Sequence, residues 1–126
     1  IRNKTSLLLL NLVKSNEALM NIIRNEPETL HIGADFNRGY RVEEGFDLTG
    51  CTATMKVRSI QGKLLAEAVC TIQDHTVFCV IPAAATKAID VNKYTKGKYD
   101  VFIQHGGVYT KVIMGDISFI PDVSMH

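Results

Sequence analysis

From Ala53 to Arg58 the chain alternates without a break, with Ala53, Met55 and Val57 on one side and Thr54, Lys56 and Arg58 on the other. A period of two fits a strand that buries one face and wets the other, which is the signature of an antiparallel sheet. The stretch feeding it, Phe46-Asp47-Leu48-Thr49-Gly50-Cys51, reads as a tight polar turn. Short side chains at Asp47 and Thr49 can bond nearby backbone, and Gly50 tolerates positive φ.

Turn signals recur at short intervals beyond Pro27. They divide the chain into expected strands near 29–36, 39–44, 51–59, 63–72, 76–81, 98–105 and 108–120. Asn37-Arg38-Gly39, Gln61-Gly62, Asp74-His75 and Gly106-Gly107 lie between them as expected hairpin turns. The side carrying Val112 and Met114 does not continue cleanly into Ile117 and Phe119, which places a bulge at Gly115. One interval breaks the rhythm. Pro82 to Asp90 is alanine-rich with proline at its start, and predicts a single helical turn bridging two sheets.

Seven short strands at this spacing predict a mainly β chain, an immunoglobulin-like antiparallel β-sandwich. Tyr99 falls where such a sandwich commonly carries its corner tyrosine. The expected core is Leu48, Ala53, Met55, Val57 and Val80 from the first half, with Ile89, Tyr99, Val101, Ile103 and Ile117 from the second.

One N-terminal α-helix is expected ahead of the sandwich, over residues 6–26, with Ser6 as its cap and Pro27 as its stop. Leu8, Leu12, Ser15, Leu19 and Ile22 form one row, and Leu9, Val13, Asn16, Met20 and Ile23 lie beside it. Together they make a broad apolar stripe opposite Lys14, Glu17, Asn21 and Arg24. Such a stripe either packs on its own domain's sheet or joins a short helical bundle between copies. In a bundle, Ser15 and Asn16 would set the register. The expected organisation is a helical packing or oligomerisation arm over 1–27 and a sandwich over 28–126. The expected interface consists of Leu8, Leu9, Leu12, Val13, Leu19, Met20, Ile22 and Ile23.

Composition narrows the function classes. The 126 residues fit one domain plus an appendage, and 14 basic against 13 acidic residues leave a formal net charge of +1. Mixed signs without interleaved aromatics argue against a nucleic-acid groove or an anionic membrane surface. The run from Leu7 to Leu10 is far shorter than the roughly 20 apolar residues that cross a bilayer, so no membrane insertion is expected. Lys14-Ser15-Asn16-Glu17 offers no cleavage site for a signal peptide. Three cysteines, Cys51, Cys70 and Cys79, leave at least one unpaired and point to a reducing compartment. Cys70 and Cys79 can face each other across the hairpin at Asp74-His75, either as a bridge or as small buried thiols.

Residues for catalysis do not converge. His31, His75, His105 and His126 are scattered, and none shows the spacing that puts two imidazoles on one metal. Glu43 and Glu44 point to opposite faces of a strand and cannot work as an acid–base pair. Gly33-Ala34-Asp35 and Gly97-Lys98 are not phosphate loops, since the first lacks the glycine spacing and neither opens a helix. Neither an enzyme nor a cofactor is expected.

The order of the motifs carries a resemblance. Glu43-Glu44-Gly45-Phe46 ends a strand, Asp47-Leu48-Thr49-Gly50 turns, and the alternating strand runs to Arg58. Gly62 follows in a hairpin, then Ile81-Pro82-Ala83-Ala84-Ala85-Thr86, Gly97-Lys98-Tyr99-Asp100-Val101, and Val108 to Gly115 with Ile117 to Pro121 behind it. Over roughly residues 30–123 this run resembles the immunoglobulin-like attachment domain of tailed-bacteriophage proteins, as in the N-terminal domain of siphophage baseplate upper proteins and tail-fibre adaptors. The resemblance implies a structural component of the virion tail, assembled in the host cytoplasm. Such a baseplate, collar or adaptor protein forms a homo-oligomer and anchors fibre proteins, with other phage tail proteins as partners. An alternative class is a carbohydrate-binding module for host recognition, with Tyr40, Tyr94 and Tyr109 as the stacking candidates.

Overall fold

The computed structural model describes residues 23–42 and 47–122. Three strands set the frame. Strand β4 (Thr52–Ser59) buries Met55, Val57 and Ser59 and turns the intervening Lys56 and Arg58 outward. It lies antiparallel between β5 (Leu64–Gln73) and β7 (Lys96–His105), in register with β7 from Thr52↔Gln104 to Ser59↔Gly97. Strand β8 (Val108–Ile120) closes a hairpin on β7 through the Gly106-Gly107 turn.

Two short N-terminal strands, β1 (Arg24–Asn25) and β2 (Glu28–His31), run parallel to β8 along its free edge. Pro27 separates them, because it has no N–H to give the ladder. The second sheet contains β3 (Phe36–Arg41), β6 (Thr76–Ile81) and the far half of β5. Strand β5 passes from one sheet to the other, pairing β4 up to Ala68 and β6 from Val69 onward. The sheet path is therefore β1/β2–β8–β7–β4–β5–β6–β3, folded over a core between the two layers. Leu30, Met55, Val57, Val77, Ile113 and Ile117 are fully enclosed there.

The helical turn expected over 82–90 is present as α1 (Ala83–Lys87). Pro82 cannot cap it with a side chain. Asp35, from the β2–β3 connection, accepts the Ala83 N–H at 2.7 Å instead. Thr86, fully buried, pins the same connection: its hydroxyl donates to the Ala34 carbonyl at 2.9 Å and accepts the Gly33 N–H at 3.1 Å.

Several expectations are corrected. Asn37-Arg38-Gly39 is not a turn but the middle of β3, held by pairing with Val80, Cys79 and Phe78. The chain reverses earlier, at Ile32-Gly33-Ala34, where Gly33 adopts φ +86 and Ala34 N–H bonds the His31 carbonyl. Strands β2 and β3 consequently sit in different sheets rather than forming a hairpin. The bulge in β8 is at Val112, since Val101 pairs Ile113 while Phe102 pairs Lys111. That extra residue lets consecutive Val112 and Ile113 both be buried. Gly115 has another reason to be glycine: a Cβ there would overlap the Glu26 carbonyl of the parallel arm.

In the core, Leu48, Met55, Val57, Ile89, Tyr99, Val101, Ile103 and Ile117 are buried as expected, and Ala53 is half-buried. Val80 is not. The inward side of β6 belongs to Val77, Cys79 and Ile81, so Val80 points to solvent. Tyr99 is buried, yet it makes no local corner. Its hydroxyl donates across 73 residues of sequence to the Glu26 carbonyl at 2.6 Å, tying β7 to the N-terminal arm. The N-terminal helix falls mostly on residues 1–22, outside the described residues. Where the expectation meets described residues it is corrected, because Arg24–Asn25 form a strand against Ile113 and Met114.

Candidate functional site

The expected interface residues Leu8, Leu9, Leu12, Val13, Leu19, Met20 and Ile22 lie outside the described residues, and Ile23 is half-buried beside β1. The surfaces that can be built from residues upward are the two outer faces of the sandwich.

On the larger sheet, side chains that alternate outward from β4, β5, β7 and β8 line a groove of about 430 Å³. Its first row runs Glu67, Lys56, Asp100, neighbours by strand register. The second row pairs Thr54 with Phe102, and the third brings Gln104 against Tyr109. Arg58 borders one end, its guanidinium donating to the Gly62 carbonyl at 3.1 Å. Lys111 stands over the Phe102 ring at 5.3 Å and pairs with Asp100 at 3.5 Å. Tyr109 is 62% exposed. With Lys111, three cations and two carboxylates border one aromatic-lined concavity, Lys111 being paired to Asp100.

The outer face of the smaller sheet is different in kind. Val69 and Val80 are direct cross-strand partners, 68% and 38% exposed, and Phe78 beside them is 40% exposed. The Phe78 ring lies across Gly39, where a Cβ would come within 3.2 Å of it. The rows Asn37–Val80–Val69 and Gly39–Phe78–Thr71 carry no charge. This is an uncharged stripe over three strands.

The histidines do not meet. His31 is exposed on β2, His75 lies in the β5–β6 turn, and His105 sits across from Gly50. His126 lies outside the described residues. Among the described residues no three His, Cys, Asp or Glu side chains come together as a metal site. No helix among them is long and apolar enough to cross a membrane. Asp47 acts as expected, its carboxylate accepting the Thr49 N–H at 3.0 Å.

Cys70 and Cys79 are cross-strand partners with free thiols, Sγ to Sγ 3.5 Å. The hydrogen bond between them holds the Cys70 thiol below its ordinary range and pushes Cys79 up, burial adding to the rise at Cys79. Of the three tyrosines singled out, Tyr40 is buried and Tyr94 is half-buried with Lys93 at 5.5 Å over its ring. Only Tyr109 reaches the groove. Sequence reasoning picked Tyr109 but not its neighbours. The outward positions of β4 and β7 were readable as alternation, whereas their register was not.

Sheet order and the strand that changes sheets define a two-layer β-sandwich. The chain is similar to the extracellular domain of the voltage-gated sodium channel β4 subunit, solved as parallel homodimers, at 6% identity. That match covers 79% of this chain and 94% of the other with a TM-score of 0.45. The IG1–IG1 heterodimer of ZIG-8 and RIG-5 aligns at 8% identity over 82% of this chain and 98% of the other, TM-score 0.44. An extracellular fragment of novel immune-type receptor 11 from Ictalurus punctatus aligns at 10% identity over 82% and 90%, TM-score 0.40. No protein-family model matches this chain, and no curated protein matches it either.

Proposed function

We propose that this chain is a non-enzymatic structural component of a bacteriophage tail, a baseplate, collar or fibre-attachment adaptor. In this reading it assembles with further copies of itself and anchors fibre proteins. The order of motifs over residues 30–123 supplies the tail assignment, as a resemblance. The observation that carries the assembly is the uncharged stripe of Val69, Phe78 and Val80 on the smaller sheet. Exposed apolar side chains that adjoin one another mark interaction sites more often than scattered ones do. A second copy suits this stripe, because apposing two uncharged rows brings no like charges together.

Light scattering on the purified full chain tests the assembly. The expected result is an oligomer that Val69→Asp and Phe78→Asp weaken while the thermal unfolding midpoint stays within a few degrees. A strict monomer, indifferent to both changes, refutes it. Imaging the particle that contains the chain tests the location, and density away from the tail refutes the tail assignment.

A further inference from the structure

We propose that the groove on the outer face of β4, β5, β7 and β8 is a binding site for a neutral oligosaccharide. The proposal goes beyond the structural role above and does not depend on it, because the groove and the uncharged stripe are built from different residues, on the larger and the smaller sheet respectively.

The chemistry of the lining selects the ligand class. A sugar hydroxyl both donates and accepts, so a saccharide site needs both kinds of partner at close spacing. Glu67 and Asp100 accept, Lys56 and Arg58 donate, and Gln104 and Thr54 do both. Lys56 and Glu67 face each other by register, and no ion pair joins them among the described residues. They are therefore available to a ligand. Asp100 is held by Lys111 and Arg58 by the Gly62 carbonyl, which fixes the orientation of both.

Aromatic surface completes the requirement. The apolar face of a pyranose packs on an exposed ring, and Tyr109 supplies one at the groove's end, next to Gln104. Phe102 also lines the groove, with Lys111 over its ring. The carboxylates of Glu67 and Asp100 oppose close approach of a multiply anionic nucleotide or sulfated chain, and a lipid tail meets a polar wall. At about 430 Å³ the groove is within the size range of small-molecule sites.

Labelled full-length chain applied to an array of neutral oligosaccharides identifies the best binder, which is then titrated into ¹⁵N-labelled protein. The expected result is a saturable shift of the Thr54, Lys56, Glu67, Phe102, Gln104 and Tyr109 amides. Tyr109→Ala should weaken binding by about tenfold, and Glu67→Gln by several-fold. Both positions are exposed, so the unfolding midpoint should not move. The absence of any glycan bound at millimolar concentration overturns the proposal. So do shifts that map away from the groove, or a Tyr109→Ala variant that binds as well as the parent. Light scattering on the same samples reads the oligomeric state separately, so that failure of the groove and failure of the assembly are told apart.

Discussion

Removing the Glu28 carboxylate is expected to unfasten the two sheets at the one side where no backbone ladder joins them. Among the described residues strand β2 has a partner only in β8, and β3 only in β6, so no ladder between them joins the two sheets on this side. Glu28 on β2 spans the gap. It accepts the Tyr40 hydroxyl at 2.7 Å and the Arg38 guanidinium at 3.0 Å, both from β3. The Glu28 side chain is 13% exposed and Tyr40 only 3%, so the phenol has no water to turn to. A hydrogen bond to a charged acceptor contributes roughly 1.5–3 kcal/mol, and the partly exposed Arg38 pair adds about 0–1 kcal/mol.

Glu28→Ala should therefore cost about 2–4 kcal/mol. Tyr40→Phe, which leaves the carboxylate with Arg38, should cost about 1–2 kcal/mol. Urea unfolding followed by circular dichroism measures both, and the double variant closes the cycle. A shared bond predicts that the double variant loses less than the sum, with a coupling of roughly 1 kcal/mol or more. Additive losses, or a Glu28→Ala variant within about 0.5 kcal/mol of the parent, would refute the clasp.

Three further outcomes follow from the same geometry. Burial, then the Glu28 bond, pushes the Tyr40 phenol far above the ordinary tyrosine value, and burial raises Tyr99 as well. Their contribution is complete below the unfolded tyrosine value near 10 and is lost as pH rises above it, by up to about 1.4 kcal/mol per pH unit for each phenol. Urea midpoints at several alkaline pH values should show this fall, and Tyr99→Phe should flatten it. Gly115→Ala should push Glu26 off β8, costing about 1–3 kcal/mol and speeding hydrogen exchange at the Glu26 amide, which bonds the Met114 carbonyl at 3.0 Å. A thiol reagent at neutral pH should modify half-buried Cys70 ahead of Cys79, which should stay protected until the chain unfolds.

What could be read from the chain depended on whether the information was local. Strand β6 and strand β8 begin and end where alternation and turn residues place them, and α1 is where Pro82 and the alanines put it. Asn37-Arg38-Gly39 misled because its composition is that of a turn, while the pairing that makes it a strand is non-local. Phe36 and Tyr40, four residues apart, both face the core, and β6 pairs with all six residues of the strand. Val80 misled through its residue type, because an isolated valine does not reveal which side of β6 is inside. The bulge at Val112 depended on the pairing of β7 with β8, and Gly115 on a carbonyl from the N-terminal arm. Tyr99 was correctly assigned to the core, yet its partner is 73 residues upstream.

The same reasoning explains why the groove escaped a search for motifs while the two outer faces can act independently. A motif is a set of spacings along the chain, but Glu67, Lys56 and Asp100 become neighbours only through the register of three strands. Each contributes an ordinary solvent-facing charge to its own strand, and only their alignment makes a site. Strand β5 is common to both faces, presenting Glu67 to the groove and Val69 to the uncharged stripe two residues later, where it changes sheets. A residue inserted between Glu67 and Val69 would reverse which side chains beyond it point outward. It should therefore turn Val69 out of the stripe, narrowing it to Phe78 and Val80 on β6, and leave the pairing of Lys56 with Glu67 in place. A variant of that kind losing oligomerisation while retaining saccharide shifts would separate the faces; simultaneous loss of both would show that β5 couples them.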